Sequence, residues 1–171
     1  PNFFKKDFTA LLCGVGYENT ADEFIKFVIA RNPKVKIIII DIAQEQINAV
    51  NRLVKDKYKS LNIKVKQLNA LALHNFLPKE SIDWIETDGF PEYFNHDSLE
   101  KLLFVWKTIL KKDGFISFRD CITEGILEHL VDNFRIWVAK KWLGITVYAH
   151  TREEMKNLFK STGFKYIEGL T

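Results

Sequence analysis

Residue types suited to ligand chemistry gather where apolar runs end. Gly14-Val15-Gly16 follows the run 10–13 directly, with Tyr17 and Glu18 completing the turn. Asp41 and Ile42 close the β-branched run 35–40. Asn69-Ala70-Leu71 ends a third run, Asp88-Gly89 a fourth and Arg119-Asp120-Cys121 a fifth. Glycines let a backbone turn sharply and let a ligand lie against it without meeting a Cβ. An acid at the end of a second strand can accept hydrogen bonds from two ribose hydroxyls. Glycine turn, helix, strand and acid together predict a nucleotide-binding half of a doubly wound sheet. The bland alternative is an ordinary tight strand–helix turn. Position 19 is Asn where the dinucleotide fingerprint has a third glycine, which counts against NAD or FAD. No Gly-Lys-Ser/Thr occurs, so a phosphate-binding P-loop is excluded.

Other groups are candidates beside this core. Asp88 and Asp120 end neighbouring strands and have the donor chemistry for a hard cation, with ligand contact or helix capping as the alternatives. Glu86 is out of place in a central strand; it points into a site or forms a structural ion pair. Of His74, His96, His129 and His150, the last precedes a late helix and is the candidate base or substrate contact. No His/Cys spacing reads as a zinc site, and no resident metal is expected. Tyr93, Phe94, Trp137, Trp142 and Tyr148 are the types that roof an apolar substrate or fill a core.

The elements that must position these residues follow from periodicity. Strands are expected at 9–13, 35–40, 65–68, 82–87 and 115–119. Helices are expected at 21–31, capped by Asn19 or Thr20, at 43–58, and at 98–110, capped by Asp97 or Ser98. Residues 72–81 read as irregular, and 111–114 as a turn. The alternation predicts an α/β fold with a doubly wound, mostly parallel twisted sheet and helices on both faces. After 121 the rhythm breaks. Residues 121–143 carry one or two amphipathic helices, and 121–150 read as a helical insert or lid whose apolar face is an alternative homodimer surface. Thr151 and Glu154 match a capping box, Gly163 a carboxyl cap, and 164–168 a closing strand.

Composition bounds the rest. With 171 residues, 47% hydrophobic and 27% charged, the chain is expected to be one domain spanning 1–171. A net charge of +3 is too small to imply nucleic acid or an anionic membrane. The longest apolar run is far short of the roughly 20 residues of a membrane span. Two cysteines and no signal peptide fit a cytoplasmic location better than secretion. The chain starts at Pro1 and reaches a core strand almost at once, so it reads as a fragment of a longer protein.

These pieces, in order and spacing, resemble a class I (Rossmann-like) S-adenosylmethionine-dependent methyltransferase over nearly the whole chain. Leu11-Leu12-Cys13-Gly14-Val15-Gly16 is similar to the family's first motif, and Ile40-Asp41 to the acidic end of its second strand. Asn69-Ala70-Leu71 with Ser81-Ile82-Asp83-Trp84-Ile85 resembles its adenine-side loop and fourth strand. Lys111-Lys112-Asp113-Gly114 resembles its turn before strand five. The resemblance implies S-adenosylmethionine as cofactor and S-adenosylhomocysteine as product. It implies that Gly14, Gly16 and Tyr17 border the methionine part, that Asp41 accepts the ribose hydroxyls and that Ile42 packs on the adenine. It further implies that Asn69 and Ala70 bond the adenine edge and that Asp88 faces the methionine end or the substrate. Leu12 stands where the family usually has an acid, and Glu18 where it has a third glycine. The expected activity is methyl transfer to oxygen or nitrogen of a small molecule. The alternatives are a catalytically degenerate binding or dimerising domain and a nicotinamide-dependent oxidoreductase.

Overall fold

The structure is a computed structural model that describes residues 3–119, 122–123, 126–165 and 167. The chain forms two compact units. The first combines Pro1–Asp88 with Val105–Arg119, the second Gly89–Phe104 with Asp120–Thr171.

The first unit is built on five strands. These are β1 (Thr9–Cys13), β2 (Lys36–Asp41), β3 (Ile63–Gln67), β4 (Ile82–Asp88) and β5 (Leu110–Arg119). They hydrogen-bond in the order β3-β2-β1-β4-β5, and every pairing is parallel. Helices α1 (Glu18–Arg31) and α2 (Gln44–Lys57) make the crossovers from β1 to β2 and from β2 to β3. This is the α/β architecture expected from the alternation of runs.

Alternation along the strands sorts the core. Ala10 and Leu12 of β1, Ile37 and Ile39 of β2 and Trp84 of β4 share one buried cluster with Phe24, Ile25 and Val28 of α1 and Val50 and Leu53 of α2. Leu11, Ile38, Ile40 and Ile85 point to the opposite face and are equally buried. Strands apolar on both sides are what a sheet covered on both faces requires. Cys13 belongs to that second face. It is fully buried against the Trp106 indole, and burial pushes its thiol far above the ordinary range, so it is an inert core residue.

Two buried acids brace this unit. Asp22 of α1 accepts from the Tyr58 hydroxyl at 2.7 Å, beyond the end of α2, and pairs with Lys26 at 2.6 Å. Asp83 accepts the Thr9 N–H at 2.8 Å and the Lys111 ammonium at 2.5 Å, binding β1, β4 and β5 together.

Several boundaries differ from expectation for local reasons. Helix α1 starts at Glu18 with Tyr17 as its N-cap and no side-chain cap, so Asn19 and Thr20 lie inside the first turn. Of the stretch 72–81 read as irregular, 72–75 belong to a 3-10 helix, Ala70–Asn75, which Asn69 caps by accepting the Leu71 N–H at 2.9 Å. Residues 111–114 are not a free turn but part of β5, which takes a register shift opposite Ile82 and Trp84. Gly114 makes the shift sterically possible. A Cβ there would stand 2.9 Å from Leu110 Cδ2 and 3.0 Å from the carbonyl oxygens of Ile82 and Lys111.

The second unit holds most of α3 (His96–Ile109), whose last turns, from Val105, belong to the first unit. Asn95, rather than Asp97 or Ser98, supplies its cap, accepting the Ser98 N–H at 2.9 Å. The unit continues with β6 (Ile122–Thr123), α4 (Ile126–Val138), a π-turn over Ala139–Leu143, β7 (His150–Thr151) and α5 (Arg152–Ser161). The two-residue strands β6 and β7 pair in parallel. The Thr151–Glu154 capping box is formed: the Thr151 side chain accepts the Glu154 N–H at 3.2 Å, and Glu154 accepts the Thr151 N–H at 2.8 Å. Gly163 takes the left-handed φ of +81° past the helix end. Among the described residues of 164–168 no strand forms. Val131, Phe134, Trp137 and Trp142 are exposed, so the aromatic residues of this segment do not form a core.

Candidate cofactor loop and an adjoining cavity

The glycine turn is held from three sides. Gly14 leaves β1 with φ +81°, a conformation that excludes most side chains, while its N–H donates to Ile40 O at 3.0 Å. The Val15 side chain drops into the core beside Leu12 and Ala21. The Val15 N–H donates to Asp41 Oδ2 at 2.6 Å. The other carboxylate oxygen of Asp41 accepts the Ala43 N–H at 2.7 Å and so starts the next helix. Each oxygen has the capacity for a second bond. Asp41 is therefore first a clamp on the turn, a role that sequence spacing did not reveal.

Beyond the clamp the surface is open. A Cβ on Gly16 would meet nothing within 4 Å, so the protein's own packing does not demand glycine there. Tyr17 is 80% exposed and Ile42 68% exposed, both unusual for residues beside a core turn. Gln67, at the end of β3, donates to Ile42 O at 2.9 Å, and Leu68 N–H donates to Asp41 O at 2.9 Å, which aligns the ends of β2 and β3. Asn69 Oδ1 is occupied by Leu71 N–H with one lone pair left, and Ala70 is buried behind it. The structure thus gathers Gly14, Gly16, Tyr17, Asp41, Ile42, Asn69 and Ala70 along the carboxyl ends of β1, β2 and the segment after β3.

Asp88 ends β4 and pairs with Arg119 of β5 at 3.0 Å. Its partner in the expected cation pair, Asp120, lies outside the described residues, as does Cys121. Two residues back on the same face, Glu86 accepts a short hydrogen bond from the Ser117 hydroxyl, whose oxygen in turn accepts the Trp84 indole N–H at 2.6 Å. Burial raises the Glu86 pKa above the ordinary carboxylate range, and the Ser117 bond only partly offsets this. These side chains and α1 bound a cavity of about 580 Å³. Sequence reading singled out Glu86 as misplaced and Arg119 as a strand-end residue but missed Trp84 and Ser117; pairing β4 with β5 aligns Glu86 with Ser117 and Asp88 with Arg119.

His150 belongs to the second unit. It is buried, and its Nε2 lies 3.0 Å from Phe94 O. An N–H directed at a carbonyl is a structural tether, which leaves Nδ1 for any role as base or substrate contact.

The topology and this loop define a class of fold. Against solved structures, the chain matches a Bacillus halodurans protein described as a methyltransferase at 16% identity over 96% of the chain, with a TM-score of 0.75. It matches an S-adenosylmethionine-dependent methyltransferase from Archaeoglobus fulgidus at 17% over 95%, TM-score 0.66. It matches the cyclopropane synthase MmaA2 of Mycobacterium tuberculosis at 17% over 95%, TM-score 0.73. The chain spans 66%, 63% and 56% of the lengths of these three proteins. No family model matches the sequence, and no curated protein matches it. The fold is that of the class I, Rossmann-like S-adenosylmethionine-dependent methyltransferases. Among the described residues, no helix is long and apolar enough to cross a membrane.

Proposed function

We propose that the chain is the cofactor-binding core of an S-adenosylmethionine-dependent methyltransferase whose acceptor is an oxygen or nitrogen of a small molecule. One observation carries the proposal: Asp41 fixes the turn through Val15 while Gly16 is left open beside an exposed Ile42. Those features fit an adenosine. The spare lone pairs of Asp41 meet ribose hydroxyls, Ile42 offers an apolar face to the adenine, and Asn69 Oδ1 keeps one lone pair for the adenine amine. Gly14 and Gly16 give the methionine part a backbone without side chains. When bound, S-adenosylmethionine supplies a methyl group already activated on a sulfonium. The protein's work is then orientation, exclusion of water and local charge. Asp88 contributes a carboxylate at the mouth of β4, and Arg119 fixes its direction.

Calorimetric titration with S-adenosylmethionine and S-adenosylhomocysteine tests this. Micromolar binding of either, lost in Asp41→Ala, is expected. Silence for both removes the proposal. It would favour a second reading, a degenerate binding domain, for which the specific observation is Leu12: the position the family usually gives to an acid is here a fully buried core residue.

A further inference from the structure

The sheet face that carries α1 is not evenly covered. Helix α1 packs on β1, but over the outer half of β4 and β5 the same face shows Trp84, Glu86, Asp88, Ser117 and Arg119 to a cavity of about 580 Å³. Phe24 and Phe27 of α1 form its opposite wall. The rings are packed together: Trp84 lies 5.1 Å from Phe24 and 5.7 Å from Phe27 between centroids, and stacks on Phe115 at 5.8 Å. One face of Phe27 is taken by the Arg31 guanidinium of the same helix, 3.5 Å from its centroid.

Charge adds a second, independent constraint. Three carboxylates line the cavity, Glu23, Glu86 and Asp88, against one guanidinium, Arg119. Glu23 is bridged by Lys26 at 3.4 Å and Asp88 by Arg119 at 3.0 Å. Glu86 has a hydroxyl and no cation within ion-pair distance among the described residues. A half-buried carboxylate beside an aromatic wall repels anions and gains little from a neutral ligand. It is matched by a positive charge on an apolar body, whose charge meets the carboxylate while its alkyl groups lie against the apolar wall, of which Phe27 is the exposed ring and Trp84 and Phe24 are buried.

We propose that this cavity binds a small organic cation, an ammonium or quaternary ammonium compound, held by Glu86 within the apolar wall of the cavity. Asp41 and Ile42 do not line the cavity, but Asp88 and Arg119 do, so the site adjoins the mouth of β4 assigned above, and its binding is read separately from that of the cofactor.

The test is calorimetric titration of the whole chain with choline and with 3,3-dimethylbutan-1-ol, its uncharged isostere. Choline is expected to bind at least about tenfold more tightly than the isostere. Glu86→Gln is expected to remove most of that preference while leaving S-adenosylhomocysteine binding as in the parent. Equal affinity for the two probes, no binding of choline at millimolar concentration, or a preference that survives Glu86→Gln overturns the proposal. The comparison of probes on the parent chain stands even where the variant folds poorly. Choline binding without any binding of S-adenosylhomocysteine would leave the cation site standing and defeat only the methyltransferase proposal.

Discussion

Asp41 Oδ2 accepts the Val15 N–H at 2.6 Å, so the acid ending β2 holds the turn that ends β1. The two residues are 26 positions apart, and their bond makes the strand ends one rigid rim. An acid already satisfied by the turn presents its spare lone pairs in a fixed direction, which is pre-organisation for a ligand diol.

The two glycines of the turn are expected to respond differently. Gly14→Ala forces a side chain into φ +81° and should cost about 1–2 kcal/mol. Gly16→Ala meets open space and should change stability by less than about 0.5 kcal/mol. Yet it should weaken S-adenosylhomocysteine binding, because its methyl enters the space assigned to ligand. Denaturant melts paired with calorimetry separate the two effects.

Glu86 should cost stability at neutral pH. Its pKa is raised by burial, so its favourable contribution is complete below the unfolded value of about 4.3 and is lost as pH rises through the folded value. Glu86→Gln, which can still accept from Ser117, is expected to melt above the parent at pH 7. The difference should vanish as pH falls below the unfolded value. Thermal melts across that window check it, and a lower melting temperature for the variant at pH 7 would contradict it. A stabilising change that abolishes cation binding is the usual trade at a functional acid.

Asp22 should behave in the opposite sense. The Lys26 bond, then the Tyr58 hydroxyl, hold its carboxyl below the usual range. Its contribution is present above an unfolded pKa of about 3.9 and is lost as pH falls through the folded value. Tyr58→Phe removes one of those bonds and should cost about 1–2 kcal/mol at pH 7, with the deficit shrinking in acid. Urea titrations at pH 7 and in acid measure both.

Gly114→Ala should be among the more damaging single-methyl additions to the sheet. The new carbon would press on Leu110 and on two backbone oxygens at about 3 Å, so an overpacking cost of about 1–3 kcal/mol is expected. A wild-type melting temperature would show that β5 takes up the methyl by sliding.

The centre of the sheet was legible because β1 and β2 are buried on both faces and therefore read as unbroken apolar runs. Thr9–Cys13 follows from that pattern and the parallel pairing from the alternation of strands with helices, whereas the order of the strands comes from the structure. Helix starts were less legible. At α1 no side chain caps the helix, and at α3 the cap is Asn95, one residue before the first helical residue and outside the two candidates chosen. The 111–114 segment misled because Lys-Lys-Asp-Gly is turn chemistry locally, while pairing to β4 draws it into the strand. At the site, the residue types at the strand ends could be picked out, but not their partners. Nothing in Trp84 or Ser117 alone announces that register will join them to Glu86, and nothing in Asp41 announces Val15. Hydrogen bonds between distant strands are products of register, which a single sequence does not state.

The most direct test of the proposed cofactor site is backbone amide NMR of the chain titrated with S-adenosylhomocysteine. The expected result is a saturable shift of the amides of Val15, Gly16, Ile42, Leu71 and their neighbours, with those of Glu86 and Ser117 moving little. No shift at the glycine turn, or shifts confined to the β4–β5 cavity, would contradict the assignment of this rim to the cofactor.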